Sequence, residues 1–204
     1  MNLRTLFPNY AVVAAAVSIA SLPIQARAAE ASETLRAAVD EVLALAYDAK
    51  ATTPLSVRVR PVVEKQFNLE IITRRAIGPG WKQFTAEQKT AAIQLFTDVV
   101  IRTYANRFEP GDRPVINYGK PVIPDAAKPA LRELPSTITA AGKTFAVVYR
   151  VEQAGDSWRI YDVIIEGVSM IANWRSQLDP IFQKGGANAV IEALQKNLAQ
   201  QPLK

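Results

Sequence analysis

The sequence predicts an α+β fold: a curved antiparallel sheet with helices before and after it. Three observations carry this expectation. Apolar residues recur at helical spacing from Leu35 to Tyr104, strand-like runs joined by tight turns fill Leu134–Met170, and helix signals return after Ser176. Among the 204 residues, 49% are apolar and 21% charged, which suits a packed core rather than a disordered chain.

The chain opens with an export pattern. Arg4 precedes the apolar run Ala11–Ile24, and Ala26-Arg27-Ala28 fits small-x-small cleavage after Ala28. The uncharged stretch Thr5–Ala26 is long enough to span a bilayer, but Pro8, Asn9, Pro23 and Gln25 make it a poor spanning helix. A single domain of residues 29–204 is expected, exported and soluble. Its net charge falls by two from +5 as Arg4 and Arg27 leave with the signal.

Ser32 is placed to cap a first helix whose apolar face is Leu35, Val39, Val42, Leu43 and Ala46. Pro54 breaks it. Pro61 suits the first turn of a second helix, with Val62, Val63 and Phe67 inward. Asn68 caps a third, ending near Ile77 at Gly78-Pro79-Gly80. Thr85-Ala86-Glu87-Gln88 is a capping box opening the longest helix, about 85–108. Its stripe of Ile93, Phe96, Val100 and Tyr104 is widened by Leu95, Val99 and Ile101, so deep burial is expected.

Prolines 110, 114, 121, 124 and 129 deny helix to the next stretch, which predicts loops and short strands such as Val115–Tyr118. Leu134–Ala140 reads as a strand. Ala141-Gly142-Lys143 turns it into Thr144–Glu152, and a turn at Gly155 leads to one long strand, Ser157–Met170. Ser176 and Pro180 mark a short helix ending at Gly185-Gly186, and Asn188 caps a last helix over 189–199.

The strands are apolar on both faces, unlike a sheet with one wet side. Strict alternation groups Val147 with Tyr149, Ile160 with Ile164, and Tyr161 with Val163 and Ile165. One face can be covered by the long helix. The other needs the terminal helices or a bound apolar ligand.

Chemistry is sparse. Without His or Cys there is no Ser-His-Asp or Cys-His hydrolase, disulfide, Cys-ligated zinc or His-ligated iron. Asp162 and Glu166 lie about 13 Å apart along one strand, too far for a retaining glycosidase pair. No phosphate loop, cation loop or dense basic run is present, so no cofactor, metal or nucleic acid is expected.

The run Tyr161-Asp162-Val163 … Glu166-Gly167-Val168-Ser169, continuing to Trp174-Arg175-Ser176-Gln177, closely resembles the C-terminal motif of the MlaC family of periplasmic phospholipid-binding, or toluene-tolerance, proteins. Ile77-Gly78, Trp81, Thr85–Gln88 and Tyr104-Ala105 resemble that family's other marked block, and Lys184-Gly185-Gly186 fits as well. The likeness covers about Pro61–Lys196, with Glu109–Pro135 matching poorly.

The resemblance implies an NTF2-like fold enclosing an apolar cavity. It also implies a non-enzymatic carrier that moves phospholipid across the periplasm and maintains outer-membrane lipid asymmetry. Its partners would be an outer-membrane lipoprotein–porin complex and an inner-membrane ABC transporter with an MCE-domain protein. Candidate acyl-chain contacts are Val100, Tyr104, Val147, Tyr149, Tyr161, Val163, Ile165, Val168, Met170 and Trp174, with Arg175 near the headgroup. A hopanoid-associated relative, an acid/base enzyme on an NTF2-like cone, and a filled-core adaptor remain open alternatives.

Overall fold

The structure, a computed structural model, describes residues 24–108, 111 and 113–202. Five strands form one antiparallel sheet in the order β1 (Val115–Tyr118), β2 (Leu131–Ala140), β3 (Lys143–Ala154), β4 (Ser157–Ile165) and β5 (Val168–Ser169). Helices α1 (Ile24–Ala46), α2 (Leu55–Arg58), α3 (Arg60–Gln66), α4 (Leu69–Ile77) and α5 (Ala86–Ala105) precede the sheet, and α6 (Met170–Gln200) follows it. Gly78–Gln83 is a 3-10 turn. Helices lie on both sides of the open sheet, so the α+β expectation holds.

Local signals set several boundaries where expected. The Asn68 side chain accepts from the Ile71 amide at 3.1 Å and starts α4. Thr85 Oγ1 accepts from the Gln88 amide at 3.2 Å, and Gln88 Oε1 accepts from the Thr85 amide at 2.9 Å. This completes the capping box of α5. Ala141 and Gly142 both have positive φ and close the β2–β3 hairpin in two residues.

Three boundaries differ. Helix α1 begins at Ile24, not at Ser32, so it runs through the expected cleavage point after Ala28. The rest of the export pattern lies outside the described residues. The expected strand Ser157–Met170 is cut at Glu166-Gly167, whose φ values of 50° and 79° reverse the chain into β5. Gly167 therefore makes a turn rather than bending a continuous strand. Finally, α6 starts at Met170 rather than at Ser176; it is broken at Gly186, whose φ of 64° is non-helical, so the two expected C-terminal helices meet there. Ser169 Oγ accepts from the Ala172 amide at 3.1 Å and is the true cap. Ser176 is interior to α6, its hydroxyl donating to the Asn173 carbonyl at 2.7 Å. The run Val168–Trp174 is apolar enough to suit strand or helix, and the tight turn decides for helix.

Register decides which side chains share a face. Val147 stands opposite Ile165, and Tyr149 opposite Val163. At Arg150/Val151 the register shifts, so Val151 pairs with Ile160, Arg150 pairs with Asp162, and Tyr161 is the extra residue of a bulge. Residues 147, 149 and 151 share a face, and their partners Ile165, Val163 and Ile160 share it with them. Simple alternation had put Ile160 with Ile164 and Tyr161 with Val163. The bulge overturns both groupings.

That inner face carries two different kinds of packing. At one end Ala31 and Leu35 of α1 bury Leu134, Val147, Tyr149, Val151, Trp158 and Ile160 in a closed cluster. The other end, at Val163 and Ile165, is overlaid by α2, α3 and α5. A separate helical core holds Ile72, Trp81, Phe96, Trp174, Leu178 and Phe182. The Asn68 amide donates to the Ile160 carbonyl at 2.8 Å and its side chain to Glu152 at 2.7 Å, tying the start of α4 to the sheet.

Candidate functional site

Between the open end of the sheet and the helices lies a cavity of about 200 Å³. Leu55, Val59, Val63 and Phe67 recur every fourth residue across α2 and α3 and line one wall. Two parallel rows of α5, Phe96-Val100-Tyr104-Phe108 and Thr97-Ile101-Ala105, line the second. Val163 and Ile165 supply the sheet floor, and Met170, Ile72, Leu69, Thr73 and Val42 complete the enclosure. The wall is formed in part by two short helices, of four and seven residues, broken at Val59 ahead of Pro61. Their side chains line the hollow without filling it, whereas Ala31 and Leu35 of α1 close the adjoining part of the face.

The lining is almost wholly hydrocarbon. Thr73, Thr97 and Tyr104 carry its polar side-chain atoms. Thr73 Oγ1 is spent on the Leu69 carbonyl at 2.7 Å. Thr97 Oγ1 is buried and makes no hydrogen bond among the described residues. Burial pushes the Tyr104 hydroxyl up from its ordinary titration range, with nearby Arg107 working against the shift. The lining residues include no carboxylate, so the cavity offers no general base.

At Leu55, Ala105 and Phe108 the cavity meets a more open vestibule of about 540 Å³ bounded by Ala46–Ala49, Thr52–Pro54 and Arg58. Arg58 is tied to the carbonyls of Leu45 and, at 2.9 Å, Thr53. Arg107 lies over the Tyr104 ring, 5.4 Å from its centroid. No carboxylate lies within 4.0 Å of either guanidinium among the described residues. Arg58 lines the vestibule, and Arg107 neighbours the cavity residue Tyr104.

Of the residues picked from sequence, Val100, Tyr104, Val163, Ile165 and Met170 line the cavity. The others stand elsewhere, for identifiable reasons. Val147 and Tyr149 share the face but are sealed under α1, where burial pushes the Tyr149 hydroxyl up to about 12. Tyr161 is turned off the face by the bulge, and its ring lies 4.5 Å beneath the Arg75 guanidinium. Val168 is 60% exposed beside the β4–β5 turn. Trp174 is buried edge-on to Phe96 at 5.3 Å, one layer behind the wall. Arg175 lies in a polar cleft with Arg150 and Asp162, which face away from the cavity.

Sequence reasoning missed the α2–α3 wall and the second row of α5. The four-residue recurrence of Leu55, Val59, Val63 and Phe67 was the available signal, masked by the Pro61 break.

Comparison with known proteins is consistent with this geometry. The sequence model described as MlaC protein matches residues 36–196. A solved structure, the phospholipid-binding protein from Ralstonia solanacearum in complex with a phospholipid, superposes with a TM-score of 0.74 at 27% identity. The match covers 84% of this chain and 98% of that one. None of the curated proteins matches the sequence.

Proposed function

Because the chain belongs to the MlaC protein family, we propose that it is a periplasmic phospholipid carrier. In this reading it takes up one lipid, shields the acyl chains in the cavity between β4, α2, α3 and α5, and releases it to a membrane complex. The observation that carries the reading is the hydrocarbon-lined hollow on one half of an otherwise filled sheet face. The similar Ralstonia protein, which holds a phospholipid, supports it.

The physics suits carriage. Each acyl CH₂ removed from water is worth about 0.8 kcal/mol. A lining of valine, leucine, isoleucine and phenylalanine gives up no hydrogen bonds to receive one. The phosphate then sits in the vestibule, where Arg58 supplies attraction that solvent screens, so headgroups are weakly discriminated. The cavity, at about 200 Å³, falls below the roughly 300–1,000 Å³ of ordinary ligand sites. Loading therefore requires the short covering helices α2 and α3 to move outward from β4.

The wider role follows the family: exchange with an outer-membrane lipoprotein–porin complex and an inner-membrane MCE/ABC transporter, maintaining outer-membrane lipid asymmetry. The export signal over 1–28 and the single domain over 29–204 belong to the same reading. Native mass spectrometry of protein isolated from the cell envelope tests it. The expected result is a chain beginning at Ala29 that carries one phospholipid of mixed headgroup. A lipid-free chain under the same gentle conditions would contradict carriage.

A further inference from the structure

Arg175 draws attention to a second hollow, beside β4. There a cleft of about 480 Å³ runs between β3, β4, the end of α4 and the first turns of α6. Its charged and capping residues are Arg75, Arg150, Asp162, Ser169, Arg175 and Asp179. Asp162, Ser169 and Arg175 belong to the Tyr161–Arg175 motif, whose Val163, Ile165 and Met170 face the cavity instead.

Two of these charges are already committed. Asp162 accepts from the Ser169 hydroxyl at 2.7 Å, the Ile171 amide at 3.2 Å and Arg150 at 3.4 Å. Arg150 also donates to Glu133 at 2.9 Å. This network fixes the start of α6 on the sheet. Arg75 and Arg175 are different. Among the described residues neither has a carboxylate within 4.0 Å.

Arg75 is held flat, 4.5 Å above the Tyr161 ring. Stacking by its face leaves its N–H edge free for a planar oxygen pair. Arg175 is held by one edge against Gly78: an added Cβ there would stand 2.7 Å from its Nε, 2.8 Å from one terminal nitrogen and 3.2 Å from Cζ. Gly78 also has φ of 78°, which disfavours any side chain there. The other terminal nitrogen of Arg175 is on the side away from Gly78.

We infer that this cleft is a docking site for an acidic segment of a partner protein, whose carboxylates pair with Arg75 and Arg175. Charge selects the occupant. Asp179 lines the same cleft and Asp162 lies at its floor, so the net positive field is small. That suits singly charged carboxylates spaced along a peptide better than a concentrated phosphate dianion. Arg150 and Asp162 point away from the cavity, and the cleft shares no lining residue with it. The assignment does not depend on what fills the cavity.

The test titrates the full exported chain with a hexaglutamate peptide and follows the arginine side-chain Nε–H resonances by NMR. The Arg75 and Arg175 signals should shift together and saturate. Arg75→Gln should weaken binding about tenfold, the scale of one charge-assisted hydrogen-bonded contact. Arg175→Lys retains the charge without the fork and should weaken it by a smaller factor. Asp179→Asn should tighten binding several-fold, a gain that damaged folding cannot produce. Co-purified lipid should be unchanged in Arg75→Gln, which separates this site from the carrier reading. Unshifted arginine signals, or Asp179→Asn and Arg75→Gln variants that bind like the parent, overturn the inference. So would inorganic phosphate or phosphatidylglycerol vesicles shifting both arginines where hexaglutamate does not.

Discussion

Two adjoining parts of one sheet face have nearly the same composition and opposite character. Under α1, Val147, Tyr149, Val151, Trp158 and Ile160 are packed solid. Directly across on β4, Val163 and Ile165, the partners of Tyr149 and Val147, face a void. The difference lies in the cover. Helix α1 spans 23 residues and meets the strands through Ala31 and Leu35, small and large side chains that let it approach and interlock. The adjoining part is roofed by two short helices and the flank of α5. Hydrophobic pattern alone therefore distinguishes neither core from cavity. What distinguishes them is the length and continuity of the opposing element.

The largest expected effect pairs two substitutions on this face. Val147→Asp places a carboxylate in the closed cluster, where no water can follow, and should cost several kcal/mol or leave the domain unfolded in a thermal melt. Val163→Asp puts the same group at the hollow end, where water can enter. It should stay folded and lose co-purified lipid. If both variants unfold, the hollow is core and the contrast disappears.

Truncation sharpens the comparison further. Trp158→Ala at the filled end should cost about 3–5 kcal/mol in denaturant unfolding. Val63→Ala, beside existing empty space, should cost about 1 kcal/mol or less, since few packing contacts are lost.

The filled end also predicts a pH response. Tyr149 titrates at about 12 in the fold, against about 10 for an unperturbed tyrosine. Because burial favours the protonated form, its contribution is intact below pH 10 and lost as pH rises toward 12. The loss is roughly 2–3 kcal/mol. Urea melts between pH 9 and 12 should show this fall, and Tyr149→Phe should flatten it.

Much of this fold could be read before any coordinates. Asn68 and Thr85–Gln88 marked helix starts through cap chemistry, and Ala141-Gly142 marked a hairpin. These signals are local, so they survive translation from sequence to structure. Tyr161 and Trp174 show what was hidden. Tyr161 was assigned a face by counting in twos, and a single bulged residue reversed the count. Trp174 lies near the apolar strand in sequence, yet Phe96 stands between it and the cavity. Arg175 follows the apolar strand in sequence, but the Glu166-Gly167 turn and the start of α6 place it in the polar cleft beside Asp162.

The smallest effect belongs to Thr97, whose buried hydroxyl has no hydrogen-bond partner among the described residues. Thr97→Val preserves shape and removes that desolvated group. It should be neutral or stabilising by up to about 1 kcal/mol, with lipid retained. A clear loss of lipid without loss of stability would show that the hydroxyl contacts the ligand.

The hollow end of the face as the lipid site is tested most directly by cross-linking. A phospholipid with a photoreactive group at the end of one acyl chain is loaded, irradiated, and the adducts are mapped by peptide mass spectrometry. Adducts on Val59, Val63, Val100, Ile101, Val163 or Ile165 are the predicted result. Adducts concentrated on Val147, Val151 or Trp158, with the cavity residues unmodified, would contradict it.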